Sequence, residues 1–213
     1  ADLITRAIEG SRARLAEARS HVSESEIRAR AVDSPPPPNL QLDPAFDLIA
    51  EIKLASPSAG RLVNLQGSSR EQWIESRVFE YQRGGAAAIS VLTEPEHFAG
   101  SLADLELAAR IARVPVMRKD FLIDPYQVVE ARAAGAGGVL LIARALEDSL
   151  LDEMLDAAAI CGIFVLLEAF GHDELLRIGQ LLPPRLAQQP PVLVGINTRD
   201  LSTLEVDPLR GAA

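Results

Sequence analysis

The chain has 213 residues, of which 48% are hydrophobic and 24% charged, with a net charge of -9. That length and apolar content suffice for one sizeable core, most simply a single domain. The negative balance excludes nonspecific attraction to nucleic acid or an anionic membrane, but not a small anionic substrate met by a local cluster of Lys and Arg.

Residues 2–31 read as helix, with Leu3, Ile4, Ala7, Ile8, Leu15 and Ala16 near a helical period. Arg6, Arg12 and Arg14 between them read as a solvated face. Ser23 followed three residues later by Glu26 resembles a capping box that opens a second short helix. Pro35 to Pro38 then impose an extended connector. The expected division is 1–45 as an N-terminal helical extension with this connector, and 46–213 as the main α/β unit.

From residue 48, strands and helices alternate. The apolar runs 48–53, 88–94, 114–120, 138–144, 163–168 and 192–197 read as strands. The segments 70–83, 102–112, 125–134, 147–160 and 173–182 read as helices between them. Strands separated by single helices require parallel crossovers, and continuous apolar runs suit strands buried on both faces. Gly84-Gly85, Gly135 and Gly162 stand where helices should stop. Cys161, the only cysteine, lies between apolar neighbours and reads as a buried, inert thiol. Three scattered histidines show no metal spacing. No run is long enough to span a bilayer and no signal core opens the chain, so a cytoplasmic protein is expected.

Two architectures fit this alternation, a doubly wound sheet and a barrel. Neither a Gly-x-Gly-x-x-Gly nor a Gly-x-x-x-x-Gly-Lys is present, which weakens nucleotide-binding forms of the first. Charged or amide side chains at all six strand ends favour the barrel, where such ends meet on one face.

The segments Ile49-Ala50-Glu51-Ile52-Lys53-Leu54-Ala55-Ser56-Pro57, Ile89-Ser90-Val91-Leu92-Thr93-Glu94, Pro115-Val116-Met117-Arg118-Lys119-Asp120-Phe121, Leu140-Leu141-Ile142, Leu167-Glu168 and Gly195-Ile196-Asn197-Thr198-Arg199-Asp200 occur in an order that resembles indole-3-glycerol phosphate synthases. The resemblance covers about residues 3 to 207. It implies a TIM (β/α)8-type barrel with an N-terminal helical extension, of which six βα-type strands are present. It also implies a carboxy-lyase of tryptophan biosynthesis acting on 1-(2-carboxyphenylamino)-1-deoxyribulose 5-phosphate, with no metal or organic cofactor. Carried over by motif, Lys119 is the general acid, Glu168 the base, and Lys53 a second lysine on the substrate carboxylate. Glu51 would orient Lys53, with Asn197 bonding Glu51 or the substrate. Ser56, Phe121, Leu140 and Arg199 are the expected substrate contacts.

The resemblance departs in three places. Residues 61–72 match the first loop poorly, Glu168-Ala169-Phe170 replaces the usual sequence after the base, and no counterpart of the last two strands with their phosphate loops follows. The expectation from the last point is self-association through open barrel edges. The alternative function is a shortened, catalytically impaired homologue acting as a binding or assembly module.

Overall fold

The structure, a computed structural model, describes residues 2–65, 67–185, 187, 190–199 and 206. Two helices lead, α1 (Leu3–His21) and α2 (Glu24–Asp33). The Asp2 side chain accepts from the Thr5 N–H and the Ser23 side chain from the Glu26 N–H, so each helix begins where a short polar residue satisfies an orphan donor. Strand β1 (Ile49–Ile52) is followed by a small antiparallel hairpin, β2 (Ala55–Ser56) and β3 (Gly60–Arg61). Helix α3 (Arg70–Arg83) opens on a full capping box between Ser69 and Gln72.

The remaining units are β4 (Ala88–Leu92), the single turn α4 (Pro95–Phe98), α5 (Leu102–Ile111), β5 (Val116–Lys119), α6 (Pro125–Ala133) and β6 (Gly138–Ile142). They continue with α7 (Asp148–Cys161), β7 (Phe164–Ala169), α8 (His172–Leu181) and β8 (Val192–Ile196). The six long strands form one parallel sheet in the order β1-β4-β5-β6-β7-β8, which is the alternation expected from the apolar runs. The hairpin and α4 carry too few residues for a periodic signal, and the sequence pattern missed both.

The sheet is curled. In a flat sheet β1 and β7, four positions apart, would lie roughly 19 Å from each other. Instead, carboxylates from both strands approach Lys119 of β5, Glu51 at 3.7 Å and Glu168 at 4.0 Å. The outer face packs Ile89, Val91, Val139, Leu141 and Leu167 against Ile74, Leu105, Val128, Leu151 and Met154 of the helices. The inner face is floored by Ala88, Met117 and Phe164. Because side chains alternate along each strand, the next inward positions toward the strand ends carry the polar groups.

Gly138 makes that floor possible: a Cβ at this position would stand 2.4 Å from the Phe164 ring. Gly138→Ala is therefore expected to destabilise the fold by about 1–3 kcal/mol, the usual cost of overpacking. Chemical denaturation would measure it, and a change near zero would mean that the floor yields.

Helix α1 docks far from its sequence neighbours. Arg14 bonds Asp120 at 2.8 Å, Arg19 bonds Asp124 at 2.8 Å, and the Gln127 amide donates to the Ser11 hydroxyl at 2.9 Å. Arg14 is thus half-buried in an ion pair and is not part of a solvated face, whereas Arg6 and Arg12 are exposed. The sequence could not distinguish them, since the partner lies 106 residues away.

Candidate active site

The strand ends on the concave side enclose a cavity of about 150 Å³. Eight of the nine residues expected at the site line it: Glu51, Lys53, Lys119, Phe121, Leu140, Glu168, Asn197 and Arg199. Each sits at or just beyond the end of its strand except Leu140, which lies mid-strand in β6. Ser56 is not among the lining residues. It lies in the β2–β3 hairpin, where its hydroxyl accepts from the Ala59 N–H at 3.2 Å.

Charge is arranged as a chain. Lys53 donates to Glu51 Oε1 at 2.5 Å, while the other oxygen of Glu51 faces Lys119 at 3.7 Å. Lys119 in turn stands 4.0 Å from Glu168. Glu51 therefore serves both lysines, not Lys53 alone. The lysines differ in freedom: Lys53 is locked by a hydrogen bond, whereas Lys119 is within ion-pair range but beyond hydrogen-bond range of both carboxylates. Its N–H groups can be aimed at an incoming oxygen.

Burial pushes the Glu168 carboxyl above the usual carboxylate range, and nearby Glu51 and Glu174 add to the rise. Lys119 and a hydrogen bond from Asn197 oppose it. Asn197 thus serves Glu168, whereas the sequence reading assigned it to Glu51 or the substrate. Its own Oδ1 accepts from the Arg199 N–H at 2.9 Å, which fixes the amide's direction. Glu174 of α8 accepts from the Phe170 N–H at 2.8 Å, which ties the residue after β7 to that helix.

The rest of the lining is largely apolar. Phe98 and Phe121 hold their ring centroids 6.5 Å apart, with Leu3, Leu92, Ile142 and Phe170 completing the surface. Leu3 brings α1 to the site; its helical period identified a buried face but not what that face covers. Beneath Lys119, the buried Asp120 carboxylate accepts from Arg14, the Thr93 hydroxyl at 2.7 Å and its own neighbour's Phe121 N–H at 2.8 Å. Arg118 extends this network to Glu130 at 2.7 Å. Both residues adjoining Lys119 are therefore anchored, which fixes the strand end that presents it.

Glu94, Glu96 and His97 form a second polar group. Glu94 is fully buried and its oxygens accept from the backbone N–H groups of Glu96, His97 and Phe98, so it acts as the cap of α4. Among the described residues no helix is long and apolar enough to cross a membrane.

An aromatic-walled cavity with two lysines and an arginine, a shared carboxylate and a buried second carboxylate suits acid–base chemistry on an anionic aromatic compound. The family model described as "Indole-3-glycerol phosphate synthase" matches residues 5–210. Curated relatives bearing that name include those of Mycobacterium avium (strain 104), 41% identical, and Mycobacterium tuberculosis (strain CDC 1551 / Oshkosh), 40% identical. Each match spans 203 residues, covering 94% of this chain and 70% of the relative.

Proposed function

Because the chain belongs to the indole-3-glycerol phosphate synthase family, we propose that its cavity closes the indole ring of indole-3-glycerol phosphate, acting as a carboxy-lyase in tryptophan biosynthesis. The substrate is 1-(2-carboxyphenylamino)-1-deoxyribulose 5-phosphate. The observation that carries this reading is the chain Lys53–Glu51–Lys119–Glu168 along one wall of a single cavity.

The carboxyl-bearing ring carbon attacks the substrate ketone, forming a carbon–carbon bond. Lys119 gives a proton to the ketone oxygen as negative charge develops there. The bond to the carboxylate then breaks, carbon dioxide leaves, and its electron pair restores the aromatic ring. Finally the new hydroxyl departs as water with a proton from an acid, while Glu168 removes the proton whose loss forms the indole double bond. Lys53, oriented by its bond to Glu51, anchors the substrate carboxylate, and the apolar side chains of Phe121 and Leu140 hold the ring. Arg199 offers a planar fork for an anionic group. The raised carboxyl of Glu168 suits a base working nearer neutral pH.

Steady-state turnover of the carboxyphenylamino substrate is the direct test. Release of indole-3-glycerol phosphate and carbon dioxide in equal amounts supports the reading, and ligand binding without turnover overturns it.

The partner of the site is a small anionic molecule, and we infer a protein of the cytoplasm. We also propose self-association, which the edges of the sheet support. Among the described residues, β1 and β8 each have one neighbouring strand. Leu48 beside β1 and Val194 and Ile196 of β8 are 51%, 46% and 44% exposed. Unpaired edges with apolar side chains recruit further strands. The 213-residue polypeptide is therefore expected to form dimers or larger species at micromolar concentration. A stable monomer by light scattering would contradict this.

A further inference from the structure

A second cleft lies on the opposite side of the molecule from the catalytic cavity. In each strand–helix–strand unit, the helix returns the chain to the end where the next strand begins. The last turns of α6 and α7 therefore lie at the far end from Lys119 and Glu168. Between these turns and α2 is a cavity of about 320 Å³, whose lining includes Arg28, Val32, Val129, Arg132, Ile160 and Cys161.

The chemistry of this cleft is two-sided. Arg132 is only 7% exposed. Its Nη2 donates to the Ser34 carbonyl at 2.8 Å, but its Nη1 is buried with no partner among the described residues. Native proteins rarely leave a buried donor unpaired, because its desolvation is uncompensated. Arg28 adds a second guanidinium, half-exposed and bonded to Glu24 at 2.8 Å. The other walls are apolar, and Val32 and Ile160 project into solvent at 82% and 79% exposure. Half-burial pushes the Cys161 thiol up, against the pull of both arginines, so sulfur adds a neutral, polarisable wall.

We propose that this cleft binds a small aromatic carboxylate, its charge against the Arg132 and Arg28 guanidinium groups and its ring between Val32, Val129 and Ile160. The volume is that of a small-molecule pocket and too small for a folded partner. A bare inorganic anion would leave the apolar walls wet, and a neutral hydrocarbon would leave the Arg132 donor unpaired. A carboxylate on an apolar body satisfies both.

Cys161 makes the test specific, because it is the only cysteine in the chain and lines this cleft alone. The rate at which N-ethylmaleimide alkylates it, followed by intact mass, reports occupancy. With 2-naphthoate at ten times its dissociation constant, about one-tenth of the sites remain free and the rate falls about tenfold. The neutral analogue 2-naphthalenemethanol should not protect. Protection should vanish in Arg132→Met and in Ile160→Glu, the latter placing a repelling charge at an exposed rim where folding is untouched. It should persist in Lys119→Ala, which separates this site from the catalytic one. No protection by naphthoate, equal protection by the alcohol, or full protection in Ile160→Glu would each overturn the proposal.

Discussion

Lys119→Ala is expected to lower kcat by about 10²–10⁴-fold, the usual contribution of a positioned acid. The loss should appear equally in kcat and kcat/KM, because the proton is needed only as charge develops on the ketone oxygen. Lys53 and the apolar walls remain to bind the substrate, so KM should move little. The lysine sits on the concave face at a strand end, with its side chain one-quarter exposed, so the variant should unfold near the parent. Lys119→Arg provides the decisive comparison. It restores positive charge near Glu51 and Glu168, yet a guanidinium does not release a proton at working pH. It should recover binding and leave kcat low. If the alanine variant keeps more than about one-tenth of parental kcat, well short of the loss expected for a positioned acid, Lys119 is not the acid.

Glu168→Gln should likewise cost about 10²–10⁴ in kcat, but with an opposite effect on stability. Burial raises the Glu168 carboxyl above its unfolded value, so between the two values the folded state binds more protons than the unfolded one. Stability contributed by this group is thus full at low pH and is lost as pH rises through the folded value. Removing the charge should raise the melting temperature at pH 8 and make little difference in acid. A variant that is less active and more stable is the mark of a group strained for its task. In the parent, the acid limb of kcat/KM should fall above the ordinary carboxylate range. Asn197→Ala removes a bond that holds this carboxyl down and should move the limb further toward neutral pH. An acid limb unmoved by Asn197→Ala would detach Asn197 from the base.

The parallel alternation was legible because each buried strand is a continuous apolar run and α3, α6 and α7 stop at or just before a glycine. The strand-end charges were legible for a related reason, since Lys53, Lys119 and Glu168 interrupt apolar runs where burial of a charge needs a partner. Their pairing was not. Glu51 lies two residues from Lys53, which suggested that pair, but its contact with Lys119 depends on how far the sheet curls. Asn197 was assigned to Glu51 or the substrate because nothing in its sequence neighbourhood points to Glu168. Arg14 failed for the same reason at greater distance. On α1 it is one arginine among four, and only the position of Asp120 decides that this one is drawn into an ion pair beneath the site. Ser56 shows the opposite failure: the motif places it beside the site, while a two-residue hairpin engages its hydroxyl locally.

The docking of α1 has a consequence for how the molecule is made. A chain synthesised from its N-terminus exposes this helix first, but its anchors at Asp120, Asp124 and Gln127 emerge more than a hundred residues later. This helix must therefore wait for its anchors and close a long loop, whose entropy is met by the contacts that form. Asp120 is the residue next to Lys119, so the strand end that presents this lysine acquires its final support only at that late step. Nascent chains that have already collapsed around the sheet would still lack a fixed position for Lys119, and any activity that depends on it would appear after compaction.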